Sequence, residues 1–486
     1  MTRLATDALH HARNGKTSGS EPERYPRVTL AVGVCVILSL FYLLTRINDI
    51  SLVIFAGSLA IVVFALIPAY LWSKGLVPGM PILPLHLFAL TWTFGLPLAS
   101  EHIGVIVYDA DQHLFTVATV LLYSAAATVT WLLIARIRLR PRKTILVLEP
   151  SRGFAMMIGA VIAASVFISA VIGDGISVEA GVFGIIRSGI LALTSVALFV
   201  LAYRFGRGEL NIGQKVLFLA ACVYYVIMQC ATLFLVGAIV SAASLLIGYI
   251  IGTRRIPWVT MIALVALFSV LHLGKAEMRE DYWSGNPRAI HARELPGFFV
   301  DWFGFGIAQL AGTEEQMVSQ PIFERVSLVH MLLFAQSATP DRVPFMEGYS
   351  YEMIPELMVP RIFDPDKLSS HEGTTRLNIH YGIQATGDSD TTTIGWGLLN
   401  EAWANFGNLG VFVLGCIMGA LYGWVGRVTV RAPAMSMQVF VGATFAAIAL
   451  QTEFTMGVFV TVLFQSLVVV SVILPFLRRQ PAGALA

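Results

Sequence analysis

The chain has 486 residues, of which 56% are hydrophobic and only 13% charged, with a net charge of +2 and a mean hydropathy of +0.75. Soluble proteins carry roughly a quarter of their residues as Asp, Glu, Lys and Arg, so water is excluded as the main solvent of this chain, and a soluble multidomain architecture with it. The near-zero net charge gives no electrostatic footprint for a nucleic-acid partner.

Residues 1–27 form a polar, weakly basic tail. No cleavable signal pattern adjoins the first apolar run, so Val28–Thr45 reads as a retained span. A membrane span needs about 20 mostly apolar residues. Single runs fit at Ser51–Trp72, Ile82–Ser100, His113–Ala135, Gly153–Gly173 and Gly181–Tyr203. Val216–Gly252 is too long for one span and reads as two, joined near Leu233–Val236. Ile256–Gly274 is the ninth span and Gly397–Val425 the tenth. Met435–Leu477 holds two more, broken near Thr452–Gly457. The fold class is therefore all-α and polytopic, with about twelve spans. The expected parts are a tail (1–27), spans one to nine (28–274), a large polar segment (275–396), spans ten to twelve (397–477) and a second tail (478–486). The four cysteines, Cys35, Cys222, Cys230 and Cys416, all lie in apolar runs and read as small buried hydrophobes.

The basic loops test this count, because Lys and Arg mark cytoplasmic connections. With twelve spans, all of them fall on one side: the N-terminal tail, Lys74, Arg136–Lys143, Arg204–Lys215, Arg254/Arg255, Arg427/Arg431 and Arg478/Arg479. The opposite loops carry Asp49, Glu101, Asp111, Asp174 and Glu179. Both termini are then expected in the cytoplasm and residues 275–396 outside, which in a bacterium is the periplasm.

That outer segment holds nine Lys/Arg, seventeen Asp/Glu and four His. Two apolar stretches, Phe298–Leu310 and Ile322–Ala335, predict short amphipathic helices lying on or dipping into the membrane. Long loops in compact proteins are usually functional; the bland alternative is a cap over the bundle. Trp283, Trp302, Trp396 and Trp403 suit either sugar stacking or an interfacial aromatic belt, the belt being the better fit for Trp396 and Trp403.

Three pieces of sequence stand out. Gly274-Lys275-Ala276-Glu277-Met278-Arg279 leaves the ninth span. Pro344-Phe345-Met346-Glu347-Gly348-Tyr349-Ser350-Tyr351 precedes Met358-Val359-Pro360-Arg361-Ile362-Phe363-Asp364-Pro365-Asp366-Lys367. Gly397-Leu398-Leu399-Asn400-Glu401-Ala402-Trp403-Ala404-Asn405-Phe406-Gly407 enters the tenth span. In order and placement they resemble the Wzy-like oligosaccharide repeat-unit polymerases of bacterial O-antigen and exopolysaccharide synthesis. Those proteins read G-K-x-x-x-R, then a Pro-Arg loop ending in Lys, then G-E-a-Y-x-N-F-G. The match spans about a third of the chain. Asn400 stands where the family often has Gly, and Trp403 where it often has Tyr. The Thr232–Ala238 turn lacks the arginine that the family often carries in a membrane-embedded turn.

The resemblance implies a glycosyltransferase of the GT-C type in the bacterial inner membrane. Its donor would be a glycan on undecaprenyl pyrophosphate, and its acceptor a hydroxyl of another lipid-linked repeat unit. A flippase and a chain-length regulator of the same pathway would be its partners, with no cofactor. Such chemistry needs cations for the diphosphate and a base for the acceptor proton. Lys275 and Arg279, four residues apart, share a helix face at headgroup level; as a plain alternative they snorkel at a helix end. Arg361 is the second phosphate candidate, with a local ion pair to Asp364 or Asp366 as its alternative. Arg376 and Lys367 are weaker ones. Glu401 is the candidate base, with Asn405 one turn on orienting sugar; otherwise Glu401 simply complements a helix N-terminus. His380 and His330 are alternative bases, although a lone His is more often structural. Asp388-Ser389-Asp390 lacks the spacing and glycine of an EF-hand, and no metal is expected. An O-antigen ligase fits the same segment. A transporter or flippase would need more intramembrane polar groups than Arg187, Gln229, Glu453 and Gln465 supply.

Overall fold

The computed structural model describes residues 24–137, 144–173, 182–283, 289–312, 321–359, 364, 367–385 and 394–481. Within them the chain is almost wholly helical. In order run α1 (Pro26–Thr45), α2 (Leu52–Ser73), α3 (Ile82–Leu90), α4 (Ile103–Ile106), α5 (Ala110–Arg136), β1 (Thr144–Leu148), α6 (Pro150–Ile172), α7 (Val182–Gly206), α8 (Ile212–Ala231) and α9 (Leu235–Thr253). Then come α10 (Trp258–Leu273), α11 (Lys275–Trp283), α12 (Leu295–Ala311), α13 (Ile322–Arg325), α14 (Val329–Ala338), α15 (Ile354–Leu357), α16 (Glu372–His380), α17 (Leu398–Val428), α18 (Met437–Ala449), α19 (Met456–Val472) and β2 (Leu477–Pro481).

Ten of these helices are long and apolar enough to cross a membrane, counting α3 with its continuation to Ala99. The other two expected spans differ in form. α10 meets the test only together with α11, across a bend of 51°, and α18 has 13 residues. Both breaks fall where polar residues enter the sequence, at Gly274-Lys275 and at 450–455, which carries Gln451, Thr452 and Glu453. The expected break in the 216–252 run is present: α8 ends at Ala231, and Leu233 turns the chain with φ +58°.

Local chemistry sets many helix starts. Ser51 accepts from the Ile54 N–H, and Asp109 with Gln112, and Asn211 with Gln214, close reciprocal capping boxes. Small residues set the tightest helix contact. Gly415, Gly419 and Gly423 line the α17 face against α5, and a Cβ at Gly419 would sit 2.3 Å from the Ala127 carbonyl oxygen. In lipid, such close backbone approach is a main source of helix association.

The connections gather at two ends as the basic pattern requires. At one end, β1 pairs antiparallel with β2, joining the 137–148 loop to Arg478 and Arg479. There too Arg427 donates to the Ile137 carbonyl (2.7 Å), Met80 N–H to Thr429 Oγ1 (2.9 Å), Tyr25 N–H to the Ser73 carbonyl (2.8 Å), and Arg254 lies over the Tyr25 ring. At the other end Arg46 pairs with Glu101 (2.6 Å) and the Ile290 N–H meets the Ile172 carbonyl (2.8 Å). The small sheet was not expected; its partners come from opposite ends of the sequence, and neither strand carries a long alternating pattern.

The polar segment is woven into the bundle. α12 crosses α10 so closely that a Cβ at Gly306 would meet the Val270 carbonyl oxygen at 2.3 Å, while Trp302 donates to the Leu271 carbonyl (2.8 Å). Val300 and Leu310 stay exposed on its far side, as a membrane-dipping helix requires. The expected Ile322–Ala335 helix is split at Val326–Leu328. Its second half, α14, is a core helix rather than a surface one: Val329, Met331, Leu332, Leu333 and Ala335 are buried in the cluster formed with α3, α5 and α17. Trp396 and Trp403 correct the belt assignment. Both are buried, and Trp396 donates to Asn378 Oδ1 at 2.7 Å.

Candidate functional site

α17 begins at Gly397 and is broken at Phe406 and Gly407, where φ is +59° at the glycine. The break frees the carbonyls of Ala404 and Asn405. The loop 344–351 takes them, through Met346 N–H (3.1 Å) and Glu347 N–H (3.2 Å). Side chains lock the same junction. Asn405 Nδ2 donates to Ser350 Oγ (2.8 Å), and its Oδ1 accepts from Gly348 N–H (2.9 Å). Ser350 Oγ donates in turn to Glu401 Oε1 (2.8 Å), while Met456 N–H, in the first turn of α19, donates to Glu401 Oε2 (2.5 Å). Glu401 has 0% exposure. Each oxygen accepts one hydrogen bond from the protein, which ties the 344–351 loop and the start of α19 to this buried carboxylate. Tyr351 adjoins it. Burial first, and the Glu401 carboxylate second, hold that phenol above its ordinary range, against an opposing hydrogen bond from Asn405, so it stays neutral.

The same loop collects two further candidates. Arg376, on α16, donates to the Tyr349 carbonyl (2.9 Å), pairs with Glu372 (3.1 Å), and stacks on the Tyr349 ring at 4.3 Å. It is already neutralised by protein. His380 Nε2 lies 2.8 Å from the Pro344 carbonyl. A carbonyl only accepts, so Nε2 carries the proton and Nδ1 is the basic nitrogen. The side chain is half-buried. Of the two candidate bases, His380 is the more accessible and Glu401 is fully buried. Lys367 donates to the Leu357 and Val359 carbonyls. Arg361 itself lies outside the described residues, as does Asp388–Asp390.

Lys275 and Arg279 sit elsewhere at this end, on α11. Arg279 Nη2 donates to the Leu233 carbonyl (2.9 Å), and the guanidinium lies over Trp283 at 4.3 Å and Phe234 at 5.2 Å. The 232–238 turn, which has no arginine of its own, thus holds that of Arg279. Its Nε is buried with no partner. Arg325, at the end of α13, repels both Lys275 and Arg279, and Glu453 is the acidic group acting on Lys275. Among the described residues no carboxylate makes a direct ion pair with any of the three cations. Arg325 carries no motif and Ser350 stands unremarked in the 344–351 stretch, and sequence reasoning gave neither a role in a site. Only the folded chain brings them to Arg279 and Glu401.

The break at 450–455 connects the two groups. Glu453 faces Lys275 on one side of it, and the Met456 N–H holds Glu401 on the other. His330 is sequestered: its ring stacks on His102 at 4.3 Å, and burial first, with His102 second, pushes its pKa down to about 4. No family model matches this chain, and no curated protein and no solved structure is similar to it.

Proposed function

We propose that this chain is a membrane glycosyltransferase of the GT-C type that polymerises undecaprenyl-pyrophosphate-linked oligosaccharide repeat units at the periplasmic face of a bacterial inner membrane. The observation that carries the reading is the group of Lys275, Arg279 and Arg325, three cations without a direct carboxylate partner among the described residues. They lie beside a membrane-edge turn, at the end of the bundle opposite the basic loops. Positive charge that is only partly balanced from within is costly until an anion from outside completes it. A lipid diphosphate arrives at that depth with the required sign, and Arg contacts phosphate through two parallel N–H groups.

In this reading the cations hold the diphosphate and the charge that develops as it leaves. The anomeric carbon of the donor glycan loses its bond to the diphosphate oxygen and gains one to the acceptor hydroxyl oxygen. His380 Nδ1 takes the acceptor proton. Glu401, Ser350 and Asn405 hold the 344–351 loop, whose Pro344 carbonyl orients the His380 ring. Arg376 and Lys367 shape the flanking loops, and Arg361 is a further phosphate contact. No metal takes part. The basic end faces the cytoplasm.

Complementation tests the reading. Arg279→Ala and His380→Ala are expressed in a deletion strain, membrane levels are checked, and the surface polysaccharide is run on a gel. Chains collapsing to single repeat units at normal protein level support it. Unchanged chain length in the deletion strain itself removes it.

A further inference from the structure

At the same end as the three cations, the α1–α2 connection and the 98–113 stretch enclose an open cleft of about 220 Å³. Its floor includes Ile54 and Leu98, and its rim carries Arg46, Asp49, Glu101 and Tyr108. Arg46 is 24% exposed and pairs with Glu101 at 2.6 Å and Asp49 at 3.9 Å. The carboxylates are 71% and 60% exposed, so each keeps acceptor capacity toward the cleft. One cation against two carboxylates makes this rim net negative, opposite in sign to the Lys275–Arg279–Arg325 group.

The two places are neighbours through α13. Phe323 packs on the Tyr42 ring at 4.9 Å, and Glu324 acts electrostatically on Tyr42, which itself hydrogen-bonds Arg46. The next residue, Arg325, acts on Lys275 and Arg279. One short helix thus has the cleft on one side and the cations on the other.

We infer that this cleft is a sugar subsite, taking a neutral, hydroxyl-rich ring of the lipid-linked oligosaccharide while the cations take its diphosphate. The inference rests on the proposed function for the identity of the whole ligand, and on the cleft alone for the class of group bound. An apolar floor with a few polar groups at the rim is the usual form of a small-ligand site. Carboxylates accept from sugar hydroxyls, Arg46 donates to ring oxygens, and Tyr108 offers a ring face. A second anion is disfavoured by Asp49 and Glu101.

The test is saturation-transfer NMR on the purified full-length protein in nanodiscs. The probe is the free repeat-unit oligosaccharide, released from its lipid by mild acid. Saturation of sugar ring protons in the wild type is expected, with an at least fivefold loss in Tyr108→Ala and in the near-isosteric Glu101→Gln, and full retention in Arg279→Ala. No transfer in the wild type, or equal transfer in both cleft variants, overturns the subsite. Transfer to phosphatidylethanolamine headgroups in place of the sugar also overturns it and makes the cleft a lipid seat. If transfer follows the cleft while gene deletion leaves chain length unchanged, the subsite stands and the polymerase reading fails. The converse pair of results removes the subsite alone.

Discussion

The Glu401 junction and the Arg279 group lie at the same end of the bundle and treat charge in opposite ways. At Glu401 the protein supplies every partner: two donors for the carboxylate, and three contacts for the Asn405 amide. At Arg279 it supplies one carbonyl and two ring faces, places Lys275 and Arg325 nearby, and leaves Nε buried and unpartnered. A buried charge completed from within is a structural device. A charge group left incomplete at the membrane edge is poised for a ligand. The comparison separates two candidates that the sequence placed on the same footing.

The largest expected effect breaks the open side of that comparison. Arg279→Ala should lower polymer synthesis by about 10²–10³-fold, the scale seen when one donor to a developing oxyanion is removed. Arg279→Lys should restore only part of it, because an ammonium keeps the charge and loses the planar, ring-stacked fork. Arg279→Ala should not lower the thermal midpoint of the purified protein, since repulsion with Lys275 and Arg325 is relieved. Turnover in membranes and a melting curve check both halves. A stability loss as large as the activity loss would make Arg279 structural.

The closed side should respond the other way. Glu401→Gln keeps the shape but replaces one acceptor oxygen with an N–H₂ group. In one orientation that group faces the Met456 N–H, and in the other the Ser350 hydroxyl must reverse and abandon its geometry with Asn405. The cost is about 1–3 kcal/mol for a buried mismatch, read as a lower melting midpoint and lower membrane accumulation. Ser350→Ala should cost less, because the hydroxyl's two partners lose one contact each. A Glu401→Gln protein of wild-type stability and no activity would restore Glu401 as a chemical participant.

The sequence exposed what depends on length and sign. Apolar runs matched to membrane thickness located the helices, and basic loops located the two ends. The Lys275–Arg279 spacing put both residues on one helix because i and i+4 share a face. The rest depends on contacts between distant segments. Arg325 sits in no motif, nothing within the 344–351 stretch singles out Ser350, and the strands β1 and β2 meet across most of the chain's length. Trp396 and Trp403 read as interfacial because a large aromatic beside a polar segment has the same composition whether it faces lipid or core. The break after the thirteen-residue α18 is legible in Gln451, Thr452 and Glu453, whereas the shortness of that helix is set by its start at the Ser436 cap.

The smallest expected effect concerns a third way of handling charge, in which the protein keeps a titratable ring neutral. His330 and His102 stack at 4.3 Å, and His330 Nδ1 lies 3.0 Å from Ser327 Oγ. Burial, and secondarily His102, hold the folded-state pKa of His330 at about 4, below the ordinary value of about 6.5. On acidification the unfolded chain takes up this proton first, so stability is fully present above pH ~6.5 and declines as the pH falls toward 4. His330→Phe keeps a ring against His102 and removes the proton. Its melting midpoint should therefore lose about 2 °C less than the wild type's between pH 7.5 and pH 5, while its chain length at neutral pH stays unchanged. An identical acid slope in the two proteins would mean that the stacked imidazoles are not the acid-sensitive contact.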